Sequence, residues 1–398
     1  MNRKRHIIFI TIRVLIFIHL FIGYSWGGLT YLVANAQQDN PEETLNQNIS
    51  EQIENLDLEA LEEYVRSLGY LDDKSISERI FAYIQGDAFS YKNLWEDIVR
   101  ILFAKVKEIL PAFACIAAVA LLAGIMSGLN GGKTGKTAGE MVYFICYVAS
   151  LIPLVTILIQ CFTQTIRCID GMQTQMQYIF PVMLTLMAAS GGNMSVQLAQ
   201  PAVAFFSGTI VSVMRSVVIP FTATVLAFSM ADKLSKDLKI TKFSGFFKSI
   251  NKWIIGICLS VFGIFFSLHG ITSSSYDGIV RRVAKYAIGN GVPIVGGFLS
   301  GGFDIAVAGS ILIKNSLGSM GIFLMVVILF EPLALLVAVN LLLRLAAAIT
   351  QPFGDSRISD FLGETAENIQ YCTAAILLTA FMYFLSIIIL IASSEALL

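Results

Sequence analysis

Runs of about 20 residues with almost no charge recur along this chain, and they restrict its fold more than any other feature. The clearest are 109–129, 140–162, 253–271, 321–342 and 371–392. A hydrocarbon layer of about 30 Å is crossed by roughly 20 residues of helix, and within it every backbone N–H and C=O must find a partner inside the protein. Helices meet that demand locally. A composition of 56% hydrophobic and 14% charged residues, with mean hydropathy +0.73, also lies outside the range of soluble domains. The expected fold is an all-α polytopic membrane protein with about 7–8 transmembrane helices.

One stretch runs against this at first reading. "GLNGGKTGKTAGE" (128–140) looks like a phosphate-binding loop. That loop needs a glycine five positions before its last one, to open the turn whose N–H groups surround the phosphates. Counting back from Gly135 gives Asn130, and from Gly132 gives Ser127. The stretch also lies between two apolar runs rather than after a β-strand. It reads as a turn between membrane helices, held on the cytoplasmic side by Lys133 and Lys136.

The N-terminus has a basic start (MNRKRH), an apolar stretch and Ala34-Asn35-Ala36, the three parts of a secretory signal. Residues 1–36 are therefore expected to be a signal peptide, or an uncleaved anchor, given Arg13 and His19 within the apolar part. Either way, residues 37–108 begin outside the cytoplasm as an acidic helical segment, ahead of a membrane domain at 109–398. Ser75 and Glu78 form a capping box there. The acidic face is read either as a docking surface or as a solvated face that also opposes retention inside.

The six cysteines lie in or beside apolar runs, and neither they nor His6, His19 and His269 fall at metal-ligand spacing. No catalytic constellation, metal, cofactor or nucleic-acid partner is expected.

Lysine placement sets the topology, with 109–129 running inward and 140–162 outward. Lysines 233, 236, 239, 242, 248 and 252 mark the next cytoplasmic stretch, and "ITKFSGFFKSINK" (240–252) suits a helix lying in the inner interface. Two glycine-rich stretches, 178–231 and 288–320, are expected to be broken or re-entrant. They resemble each other: Pro181 and Pro220 lie 39 residues apart, as do Pro293 and Pro332, and each stretch carries Ser-Gly-Gly after its first proline. An internal parallel repeat of 163–232 and 270–344 is the corresponding expectation.

Four segments, "LMAASGG" (186–192), "DGIVRRVAKYAIGNGVPIVGG" (277–297), "ILIKNSLGSMG" (311–321) and "RLAAAITQPFG" (344–354), together resemble the stage III sporulation protein AE family. The resemblance implies a multi-pass protein of the mother-cell membrane around the engulfed forespore, the outer forespore membrane. It also implies partners from the same sporulation operon, including a ring-forming subunit and a cytoplasmic ATPase. The implied function is a core subunit of a channel or secretion complex that sustains late forespore gene expression. A stand-alone permease for a small solute and a non-conducting scaffold are the alternatives.

Broken segments at membrane depth belong beside a cavity, which makes Gly191, Gly192, Gly289, Asn290, Gly291 and Pro293 candidates for a cavity or gate. Glu331 joins them as an ionisable group in an apolar run, with Arg215 and Lys314 as its expected partners. Arg281, Arg282 and Lys285 break the charge trend on the outer side and are candidates for contact with lipid headgroups, a partner or cargo.

Overall fold

The computed structural model describes residues 41–56, 58–67, 75–85, 94–129, 135–191, 193–234, 240–272, 296–352 and 356–395. The chain divides into two units, Met1–Asn48 and Ile49–Leu398. Every element among the described residues is helical. Three short helices come first: α1 (Pro41–Glu54), α2 (Glu59–Ser67) and α3 (Ile76–Ile84). Two long ones follow, α4 (Leu94–Leu129) and α5 (Gly135–Ala189). Next comes a composite rod: α6 (Asn193–Phe205), a π-turn (Phe206–Ile210), α7 (Val211–Val213), a second π-turn (Met214–Val218) and α8 (Ile219–Leu234). The last three are α9 (Thr241–Thr272), α10 (Gly296–Thr350) and α11 (Ser356–Glu395). Six stretches within these are long and apolar enough to cross a membrane. The protein is an all-helical, multi-pass membrane protein.

Helices α5 and α10 each contain 55 residues, about 80 Å of rod against a hydrocarbon layer of about 30 Å. Several sequence expectations merge in them. Residues 178–189 do not form a separate broken segment but complete α5, and 296–320 run without interruption into 321–342 as α10. The real break falls at Ser190 and Gly191, where Gly191 takes φ 93°, a left-handed conformation that costs glycine little. Its counterpart in the expected repeat, Ser300-Gly301-Gly302, lies inside α10, so the two stretches differ in local structure. Residues 241–252 form the first turns of α9 rather than a separate interfacial helix; Phe247 packs on Phe221 and Phe228 of α8.

Glycine lowers helix propensity by about 1 kcal/mol relative to alanine, yet Gly318 and Gly321 do not break α10. They are notches for its neighbours. A Cβ on Gly318 would lie 2.6 Å from Ile391 Cδ1 of α11, and one on Gly321 would lie 3.0 Å from Ile387 and 3.1 Å from Ile179. Three helices thus approach closely where α10 lacks side chains, and that close packing offsets the propensity cost.

Charge and hydroxyl contacts tie one end of the bundle together. Arg357 of α11 pairs with Glu140 of α5 and lies over the Tyr143 ring, and Lys233 of α8 pairs with Glu364 of α11. Tyr143 and Tyr147 donate to the carbonyls of Lys233 and Met230 near the end of α8. From this basic end a belt of exposed apolar side chains climbs the bundle: Leu110 and Ile125 on α4, Met141 to Ile159 on α5, Trp253 to Ile264 on α9, and Val337 to Ile349 on α10. It then stops on the two longest helices. Between Asp304 and Leu336 no described residue of α10 is exposed.

Candidate functional site

Charged side chains gather where the apolar belt ends. Lys105 of α4, only 17% exposed, places Nζ 2.9 Å from Glu331 Oε1 of α10 and 3.2 Å from Glu108 Oε2. Gln160 of α5, next to Ile159, the last large apolar side chain exposed on that helix, donates to Glu108 at 3.4 Å. Lys105 and Glu108 stand three apart on the amphipathic start of α4, so both can serve one site. Pro332, inside α10, has no N–H for the carbonyl four residues back; that carbonyl, of Ile328, instead accepts from the Cys168 thiol of α5 at 3.7 Å.

About two turns further from the basic end, Asp170 of α5 meets Arg215 at 3.0 Å. Arg215 sits in the second π-turn, and two such turns in 13 residues precede Pro220. The wider turns ease the clash between the proline ring and the preceding helix, and π-turns often mark functional positions.

The three N-terminal helices join the bundle beyond this layer. Tyr64 of α2 donates to the carbonyl of Gly171 at 3.1 Å, and burial pushes its phenol up to about 12, so it remains a donor. Gln52 of α1 donates to the carbonyl of Ala306 and accepts from Ser310, and the hydroxyls of Tyr83 and Ser319 lie 2.7 Å apart. Ser75 caps α3, its hydroxyl accepting from the Glu78 N–H at 3.2 Å, which is one of the two bonds of the expected capping box. Residues read as a solvated or docking segment therefore bury apolar side chains, Ile53, Leu61, Val65, Ile76 and Ile80, with α2 set against α5 and α3 against α10.

The structure redistributes the expected site. Glu331 pairs with Lys105, not with Arg215 or Lys314. Arg215 belongs to Asp170. Lys314 is fully buried and donates to the carbonyls of Leu390 and Ile391 at 2.9 and 2.8 Å, where positive charge suits the last turns of α11. Gly191 forms the turn between α5 and α6. Gly192, Gly289, Asn290, Gly291, Pro293, Arg281, Arg282 and Lys285 lie outside the described residues. Lys105, Glu108 and Asp170 went unread as site residues, although the three-residue spacing of Lys105 and Glu108 was a signal. Pairings between distant stretches leave no such trace.

Residues 75–394 match the sequence profile of stage III sporulation protein AE. The match takes in α3 and all six candidate spans. The chain belongs to the stage III sporulation protein AE family. It is similar to the stage III sporulation protein AE of Bacillus subtilis (strain 168), at 24% identity over 328 residues covering 82% of each chain. No solved structure matches. For this family member, the matched region includes the charged layer, the Asp170–Arg215 pair and the buried Lys314, but not α1 or α2.

Proposed function

We propose that this sporulation protein is a core integral-membrane subunit of a channel or secretion complex that joins mother cell and forespore and sustains late forespore gene expression. The observation that carries the reading is the family match over residues 75–394, which takes in six helices able to cross a membrane. In this reading the basic end lies in the cytoplasm of the mother cell, the apolar belt contacts the acyl chains of the outer forespore membrane, and the charged layer marks its outer interface. Counting crossings from the basic end gives six, in addition to the N-terminal apolar stretch. Placing the glycine-rich residues 296–320 in the outer half of α10 replaces a re-entrant loop with a helical projection.

A ring-forming subunit and a cytoplasmic ATPase from the same operon are the partners this reading requires. The charged layer supports a conducting role, because polar groups shared by α4, α5 and α10 offer water and ions a hydrated entry into the bundle.

The test is to purify the protein from sporulating cells and to compare Gly291→Leu with the unaltered chain. Co-purification with the ring-forming subunit and the ATPase is expected for both, with forespore development arrested after engulfment only in the variant. Full activity without those partners would point instead to a stand-alone permease. Loss of assembly together with activity would point to a scaffold.

A further inference from the structure

The last turns of α10 and the first turns of α11 border an open surface cleft of about 320 Å³ at the basic end. Its floor is made of small residues, Ala347, Ala348 and Gly363, and a Cβ on Gly363 would meet nothing within 4 Å. Polar side chains stand around it: Arg344 and Gln351 on α10, Ser359 and Glu367 on α11. Ser359 is occupied, donating to the carbonyl of Ala347 at 2.9 Å. Arg344 uses only Nε, which donates to Asn340 Oδ1 at 2.9 Å. Its two terminal nitrogens, the Glu367 carboxylate and the Gln351 amide make no hydrogen bond or ion pair among the described residues. A guanidinium and a carboxylate thus line one cleft without closing on each other. Elsewhere at this end opposite charges do pair, in Lys233–Glu364 and Arg357–Glu140.

The cleft opens beside the apolar belt. Leu341, Leu345 and Ile349, spaced four apart on α10, are exposed by 58%, 49% and 45% and run alongside Arg344 and Ala348. Arg344 lies six residues from the end of α10, about 9 Å along its axis, a depth that headgroups and the first acyl carbons share. A ligand here would therefore meet a fork of N–H donors and an amide on one wall, a carboxylate on the other, and an apolar track leading away.

We propose that this cleft binds a phosphate-plus-primary-ammonium zwitterion, supplied as the phosphoethanolamine headgroup of an inner-leaflet phospholipid whose chains lie along Leu341, Leu345 and Ile349. Arg344 takes the phosphate through its terminal N–H groups with Gln351 alongside, and Glu367 accepts from the ammonium. A quaternary ammonium is disfavoured, because it is recognised by aromatic faces and no aromatic side chain lines the cleft among the described residues. A purely anionic headgroup leaves Glu367 without a partner. The choice of leaflet rests on the orientation in the proposed function, while the lipid selectivity itself stands apart from the channel reading.

The full-length protein, delipidated in a mild detergent, is titrated with phosphatidylethanolamine or phosphatidylglycerol of identical chains, and retained lipid is counted by native mass spectrometry. Phosphatidylethanolamine is expected to bind at least fivefold tighter. Glu367→Gln should bring that ratio close to one without weakening phosphatidylglycerol. Arg344→Gln should weaken both lipids, and Arg344→Lys should restore part of the binding. The preference is a ratio within one preparation, so a general loss of stability does not imitate it. Equal binding of the two lipids by the unaltered protein, or an unchanged ratio in Glu367→Gln, overturns the proposal. Glycerophosphoethanolamine separates the sources: full displacement of the lipid by this chain-free headgroup at equal concentration overturns the lipid assignment, and failure to displace it supports the apolar track.

Discussion

Helices α5 and α10 each have two halves with opposite surroundings. Toward the basic end, α5 exposes Met141, Ile145, Ile152 and Ile159, and α10 exposes Val337, Leu341, Leu345 and Ile349. Toward the far end, α10 is covered by α1, α3 and α11, and on α5 the exposed positions are Thr163, Arg167, Gln177, Pro181, Thr185 and Ala189. The halves toward the basic end are the richer in apolar residues, but the far halves still hold many, so hydropathy separates them only in part. The clearer difference lies in what is exposed: large apolar side chains on one half, and none among the described residues of the other. The charged layer of Lys105, Glu108 and Glu331 lies at the change.

Accessibility gives the widest contrast. In a cysteine-free background, Gln177→Cys should react with a membrane-impermeant thiol reagent in cells whose outer face is open to it, while Ile152→Cys should be at least about tenfold slower, since a side chain in the hydrocarbon layer meets little water. Equal rates would erase the distinction between the halves.

Packing comes next. Gly318→Val puts atoms into a space already held by Ile391 and should cost about 2–3 kcal/mol, read as a lower thermal midpoint of the purified protein. Gly256→Val, on the exposed face of α9 with nothing within 4 Å, should cost under about 1 kcal/mol. Similar losses would mean that α9 is packed against protein as tightly as α10.

A smaller effect tests the boundary. Lys105→Met leaves two carboxylates facing each other, and because Glu331 is 45% exposed the loss should be near 1 kcal/mol; Glu331→Gln, which keeps Lys105 with Glu108, should lose less. A larger loss in Glu331→Gln would contradict the assignment of Lys105 as the shared cation.

The last effect concerns pH. The phenol of Tyr64 sits above its ordinary value in the folded chain, so its share of stability is complete below pH 10 and declines as pH rises from about 10 toward 12. Protease cutting within residues 49–84 should increase across that interval in the unaltered protein. In Tyr64→Phe the increase should be weaker.

The sequence located the apolar runs well, because the bilayer rule is local: 109–129 falls in α4, 140–162 in α5, 253–271 in α9, 321–342 in α10 and 371–392 in α11. Helix ends were legible where their chemistry is local too, as at Ser75 and Gly191. The glycines of 296–321 misled, because glycine can end a helix or admit a neighbour, and only Ile391 and Ile387 decide between these. The site was less legible for the same reason. Glu331 stood out as a charge in an apolar run, but Lys105 lies 226 residues away and nothing local joins them. The cleft at Arg344 and Glu367 was hidden further, since each looks like an ordinary charge near a helix end until the α10–α11 hairpin closes.

Two uninterrupted 55-residue helices side by side also have a mechanical meaning. A rod of about 80 Å pivoting by about 5° at one end carries its other end through roughly 7 Å, more than one helical turn. Because α11 is seated in the notches at Gly318 and Gly321, a push on its first turns at the basic end is delivered to the far end as displacement rather than absorbed by bending. Helices of this length give the bundle the geometry of a lever, with Pro153, Pro181 and Pro332 as the points where it would bend.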